Sequence, residues 1–361
     1  MRRLAEAIRL TLAAGLVALT SAGAALADPF TIARVPVDES AGNATQAQRQ
    51  ALTTAQTLAA DRLLQRLTLP EDRLDGRLPT ITPEEAAELV SGIQIANEQR
   101  SATRYIANVT VSFDRRAVQD FLNRFDVPFV EAQSGRTLVV AVSDDETGQV
   151  TLQSEWAEAW INGGFQYALT PMIGFGARQG ADGQPLGAEI LSARAALNGD
   201  VDALQAVAAL YNADRVLVVG ARAGADGAAA ASGRVYARDG AEWLVQPIPG
   251  VVSNEGFAGA AELIVAREEE LWKREVIVRG GEERELAITA LFQGHSQWRL
   301  MQGALTQASL VSDARLDGLS STGAAMTLRH RGSLDQLGAE LRARGLILEQ
   351  VEPLGWTVRQ P

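Results

Sequence analysis

Leu204–Arg222, LQAVAALYNADRVLVVGAR, is the stretch whose reading decides the fold. In its first half Leu204, Val207, Ala208 and Tyr211, with Val201 just before, recur at three and four residues, the stripe of a helix with one buried face. Its second half, Val216-Leu217-Val218-Val219, is apolar at every position and predicts a strand covered on both faces. A helix running straight into a buried strand is the crossover step of a parallel sheet. A twin of that strand, Leu138-Val139-Val140-Ala141-Val142, lies upstream. The middle of the chain, residues 136–283, therefore reads as an α/β module with parallel strands. Turns at Ala181-Asp182-Gly183, Ala225-Asp226-Gly227 and Asp239-Gly240 punctuate it, and a helix from about Phe257 to Trp272 closes it.

The pattern changes on either side. Residues 28–135 open with a strand in FTIARVPV, followed by a long helix from Thr45 to Leu67. The predicted buried stripe of that helix is Ala51, Leu52, Ala55, Leu58, Ala59, Leu63 and Leu67. Thr82-Pro83-Glu84-Glu85 has the residues of a helix start: a cap, a first-turn proline and two acids. Tyr105, Ala107, Val109, Val111 and Phe113 alternate with polar residues as a strand with one wet face does, and Asp114 caps a further helix. Residues 284–361 read as a βαββαβ, ferredoxin-like unit. Leu286, Ile288, Ala290 and Phe292 mark a strand; Trp298, Met301, Leu305 and Ala308 mark a helix. A hairpin turns at Ser320–Gly323, a second helix runs from its Ser333 cap to Gly345, and Leu346–Leu348 and Trp356–Val358 complete the sheet. The expectation is an α+β protein of three small modules.

Composition narrows the function. The 361 residues are 47% hydrophobic and 21% charged, with no cysteine and two histidines, His295 and His330. Absence of cysteine excludes disulfides, thiolate metal sites, a catalytic thiol and the lipidated cysteine of a lipoprotein. Residues 1–27 have the form of a secretory signal peptide. Arg2, Arg3 and Arg9 precede the apolar run Leu10–Thr20, and Ala25-Leu26-Ala27 supplies a cleavage site before Asp28. The expected location is the periplasm, after cleavage between Ala27 and Asp28. No later apolar run reaches the roughly 18 residues of a membrane span, so stable membrane insertion is not expected. The formal charge is −11, and no basic block with interleaved aromatics interrupts it, which argues against nucleic acid as a partner.

Candidate chemistry is sparse. Asp144-Asp145-Glu146 follows a buried strand but ends in Thr147-Gly148, and reads as a solvated loop ahead of a divalent-cation site. Gly174-Phe175-Gly176-Ala177-Arg178-Gln179-Gly180 has its last glycine one residue too late for a dinucleotide fingerprint and is followed by a second turn. No Gly-x-Ser-x-Gly elbow accompanies the His295-Ser296 pair, and His330 reads as a packed strand residue. Arg267-Glu268-Glu269-Glu270 with Lys273-Arg274-Glu275 reads as a solvated helix face. Trp156 and Trp160, four apart on a short helix with Phe165 after them, are either core or a possible ligand-binding platform for a glycan or peptide. No catalytic, cofactor-binding or metal residues are assigned, and no cofactor is called for.

The leader, the early strand with its Ala-rich helix, and the stretch Thr103–Val118, TRYIANVTVSFDRRAV, resemble the proteobacterial exported family named domain of unknown function 2066. Leu204–Arg222 is similar to the helix-strand step in amino-terminal domains of the Tol-system translocation protein and of curli-secretion-type envelope proteins. The resemblance implies an envelope protein and supplies no catalytic residue. The expected role is non-catalytic binding of other cell-envelope proteins. The alternatives are a periplasmic binder of a small ligand, glycan or peptide, and a hydrolase whose acids meet only in the fold.

Overall fold

The computed structural model describes residues 28–74, 76–144, 149–239, 242–277 and 283–360. The expected leader, Asp145–Gly148 and Gly240 lie outside the described residues. The protein is a mixed α+β structure built on three sheets. The first sheet comes from β1 (Thr31–Ser40), α1 (Ala44–Leu67), α2 (Pro70–Leu74), α3 (Pro83–Leu89), β2 (Val90–Arg100), β3 (Arg104–Phe113) and α4 (Arg115–Arg124), with antiparallel order β1-β3-β2. β3 is central, and its five alternating apolar residues, Tyr105 to Phe113, are all buried. Thr82 and Glu85 form a reciprocal capping box at α3, and Asp114 caps α4. β2 gives almost no pattern because nearly all its residues are exposed. One expectation is corrected in α1: Leu58 is 43% exposed, and the stripe against the sheet is Ala47, Ala51, Ala55, Ala59, Leu63 and Leu67. The small alanines allow the helix to approach the strands closely, and that close approach outweighs the hydrophobicity of Leu58.

The second sheet follows: β4 (Thr137–Asp144), β5 (Val150–Thr151), α5 (Glu155–Asn162), β6 (Met172–Gly174), α6 (Ala193–Asn198), α7 (Val201–Leu210), β7 (Arg215–Ala223), β8 (Ala229–Asp239), β9 (Glu242–Ser253) and α8 (Gly256–Val276). Its order is β5-β4-β7-β8-β9, with β6 also against β4. β4 runs parallel to both β6 and β7, while β7, β8 and β9 form an antiparallel meander. Leu138, Val140, Val142, Val216 and Val218 pack with Leu204 and Val207 of α7. Val139, Ala141, Leu217 and Val219 pack on the other side with Trp156 and Trp160 of α5 and Ile264 of α8. Gly233 is required where β8 meets β7, since a Cβ there would stand 2.3 Å from the Val218 carbonyl oxygen.

The third sheet contains β10 (Arg284–Leu291), α9 (His295–Thr306), β11 (Val311–Leu319), β12 (Gly323–His330), α10 (Leu334–Ala343), β13 (Ile347–Val351) and β14 (Gly355–Arg359). Its order is β11-β12-β10-β14-β13. The strand following α10 in a simple βαββαβ unit lies beside the first strand; here β14 occupies that place, parallel to β10, and β13 is displaced to the edge. Burial accounts for the choice: Thr357 and Val358 of β14 are fully buried, whereas no residue of β13 is. The carboxylate of Glu340, also fully buried, accepts the backbone N–H groups of Ser309 and Leu310 and the guanidinium of Arg344, tying α10 to the turn after α9.

The first and third cores meet through few residues, chiefly Ala339, and through Gln336 Nε2 donating to the Ile277 carbonyl at 3.0 Å. The third core is otherwise made of residues from Leu286 to Val358. A fragment of residues 284–361 is therefore expected to unfold cooperatively on heating and to give dispersed amide NMR signals. An aggregated or unfolded fragment would show that its fold depends on α8.

Candidate functional site

The aromatic group singled out in the sequence is interior. Ser154 caps α5, and the turn it starts carries Trp156 and Trp160 inward against β4 and β7. The two indoles meet edge to face at 5.4 Å, Phe165 joins Trp160 at 5.4 Å, and Trp156 Nε1 donates to the Val219 carbonyl at 3.1 Å. Phe257 of α8 closes the cluster on Trp156. Both tryptophans are buried and Phe165 partly so. These rings hold α5 and α8 to the sheet and form no stacking platform open to solvent.

The charged run of α8 is a correction. Its inner side chains face three other parts of the chain instead of water. Glu268 is buried against Arg215 of β7 at 2.8 Å. Glu269 accepts the Leu169 N–H at 2.7 Å and pairs with Arg66 of α1. Trp272 Nε1 donates to the Ala132 carbonyl at 2.7 Å. Lys273, the only lysine of the chain, is 5% exposed and donates to the carbonyls of Gln65 and Thr68 at 2.9 and 2.8 Å. Gln65 is in the last turn of α1 and Thr68 is its C-cap residue, where helical donors have run out. Arg73 also donates to both. Arg274 lies on the outward side and pairs with Glu71 and Glu270. A charge sequence at helical spacing looks the same whether its partners are water or distant carbonyls, so nothing local marked Lys273.

The remaining candidates are dispersed. His330 is buried at the end of β12 with Nδ1 3.3 Å from the Arg331 carbonyl oxygen, and His295 is exposed at the start of α9. The glycine-rich segment after β6 turns back through a bridge between Gln179 and Pro185, and no helix follows before α6. That geometry offers no helix amino terminus for a pyrophosphate. Among the described residues no group of three or more histidines and acids is placed to hold a metal ion, and no helix is long and apolar enough to cross a membrane.

Two concavities lie near the end of β9. A cleft of about 640 Å³ opens beyond the carboxyl ends of β4 and β7, with Gly220, Ala230 and Ser232 as its floor and Leu197 and Val252 at its sides. A groove of about 520 Å³ runs between β9 and the outer face of α8, lined by Val251, Val252, Leu263 and Leu271 with Arg267, Glu270 and Arg274. Neither was legible in the sequence, because each joins residues from strands and helices far apart in the chain.

No protein-family model matches this chain, and no curated protein does. Among solved structures, a formyltetrahydrofolate deformylase from Pseudomonas putida aligns over 65% of this chain and 90% of its own, at 11% identity and a TM-score of 0.18. So loose a superposition carries no argument about fold or activity.

Burial pushes the Lys273 ammonium down to about 8, against partial support from Glu269. An unfolded lysine keeps its proton to about pH 10.5. Between about pH 8 and 10.5 the unfolded chain thus binds more protons, and the contribution of this residue to stability rises with pH. Lys273→Met is expected to cost about 1 kcal/mol at pH 7, where Arg73 still serves both carbonyls. The deficit should widen toward pH 10, as read from urea unfolding across that range.

Proposed function

We propose that this protein is a non-catalytic component of the cell envelope, exported to the periplasm, that acts by binding other envelope proteins through the outer face of α8 and the end of β9. The observation that carries this reading is the exposed apolar group in the groove: Val252 is 70% exposed, Leu271 55% and Leu263 44%. Bulky apolar side chains held open beside Arg267, Glu270 and Arg274 combine an apolar centre with a charged rim, the composition of a protein interface. The inward half of α8 is consumed by structural pairings, so its outward half is the part free for a partner.

The sheet edges favour recognition by side chains over strand addition. β1 is interrupted at Arg34, where φ is +56°, and carries Pro36. β2 shifts register around Asn97, where φ is +55°. β9 contains Pro247 and Pro249, β11 has two register shifts, and β13 has five residues. Prolines, bulges and short strands are the features that keep an edge from pairing with another chain. The leader-like start and the acidic balance of the sequence agree with an exported role.

Two measurements test the proposal. Intact mass of the protein recovered from the periplasm is expected to begin at Asp28; a mass retaining residues 1–27 would remove the assigned location. With a photo-crosslinking residue at Arg267, intact cells should yield a discrete adduct with an envelope protein. Leu263→Asp with Leu271→Asp should abolish that adduct at unchanged Tm and abundance, since both positions are solvent-facing. Persistence of the adduct in the double variant would reject the surface.

A further inference from the structure

The cleft beyond β4 and β7 shares Val252 with the groove but otherwise combines features that the protein-binding reading leaves unused. β4 and β7 are neighbouring parallel strands whose last paired residues are Val142 and Gly220. Two residues on, and so on the same face of the sheet, stand Asp144 and Arg222. Both line the cleft. The chain path reverses here: β4 leads through α5 to β6 on one side, and β6 leads through α6 and α7 to β7 on the other. Such a reversal leaves a crevice outside the carboxyl ends of the strands, the place where open α/β sheets take ligands. A volume of about 640 Å³ falls within the range of small-molecule sites.

The lining is chemically specific. Gly220 and Ala230 keep the floor shallow and apolar, and Leu197 and Val252 stand exposed at its sides. Asp144 and Arg222 carry opposite charges on adjacent strands, yet neither makes an ion pair or side-chain hydrogen bond among the described residues.

The geometry points to a binding site for a small zwitterion, a free α-amino acid with an aliphatic side chain. Its carboxylate meets Arg222, its ammonium meets Asp144, and its side chain lies over Gly220 and Ala230 between Leu197 and Val252. Opposite charges held on neighbouring strands select for a ligand that presents both signs at short separation, and the aliphatic floor excludes strongly polar side chains.

The test uses the mature chain, residues 28–361, titrated with L-leucine by calorimetry and by amide NMR. Saturable one-site binding is expected, with shifts at Gly220, Ala230 and Ser232. N-acetyl-L-leucine, which lacks the ammonium, and L-leucinamide, which lacks the carboxylate, should each bind at least about tenfold more weakly, the size of one lost charge-assisted contact. Gly220→Leu should abolish binding at unchanged Tm. A Cβ at this position meets only the Val142 and Ser232 carbonyl oxygens, at 3.8 and 3.9 Å, so the added side chain fills the cleft without displacing backbone. Arg222→Gln, at an exposed position, gives the same reading should Gly220→Leu fail to fold, and should weaken leucine binding by about tenfold. Absence of saturable leucine binding in the millimolar range, or equal binding of the two blocked analogues, would overturn the site. Crosslinking at the α8 face does not enter this readout, so either proposal can fail alone.

Discussion

The end of α1 leaves the carbonyls of Gln65 and of its C-cap residue Thr68 without helical donors, and side chains supply them. Lys273 and Arg73 provide them, and Lys273 comes from a helix more than 200 residues further along the chain. Arg73 is a local donor to both, and Lys273 adds a second donor to each, which fastens α8 to the end of α1. The same helix places Ala260, Ala261, Ile264 and Val265 in the core of the second sheet and Trp272 and Val276 in that of the first. The residue after it, Ile277, accepts the bond from Gln336 of α10. One helix therefore contributes to the packing of all three parts, through apolar contacts at its start and polar pairings at its end.

The second constraint is the double burial of β4 and β7. Strands apolar on both faces need a layer on each side, which forces α6 and α7 to one face and α5 and α8 to the other. The helices do not cover the full length of the strands. Where cover ends, the side chains become small, and the carboxyl ends of the two parallel strands open into the cleft between Leu197 and Val252. Tight packing at one end of the sheet and an open shelf at the other are thus two consequences of the same strand arrangement.

Much of the architecture was legible locally. The alternation of Tyr105–Phe113, the double-sided apolarity of Leu138–Val142 and Val216–Val219, and the caps at Thr82, Asp114 and Ser333 all reflect forces acting within a few residues, and sequence records such forces directly. The candidate site was not legible. Trp156 and Trp160 were compatible with core or surface, because a stripe of rings on a short helix has the same spacing in either setting; only the approach of Phe257 and β7 made them core. The cleft and the groove left no local pattern to read.

The sequence by itself determined most element types, β2 excepted, the parallel pairing of Leu138–Val142 with Val216–Val219 and the absence of cysteine chemistry, since these follow from periodicity, propensity and composition. Tertiary structure alone decided that Leu58 faces solvent while neighbouring alanines face the sheet, that β14 lies beside β10 in place of β13, and that the lysine of a charged run caps a distant helix. The physical reason is common to all three. Burial and hydrogen-bond satisfaction are properties of a side chain together with its partner, and each of these partners lies outside the local segment that fixes helix or strand.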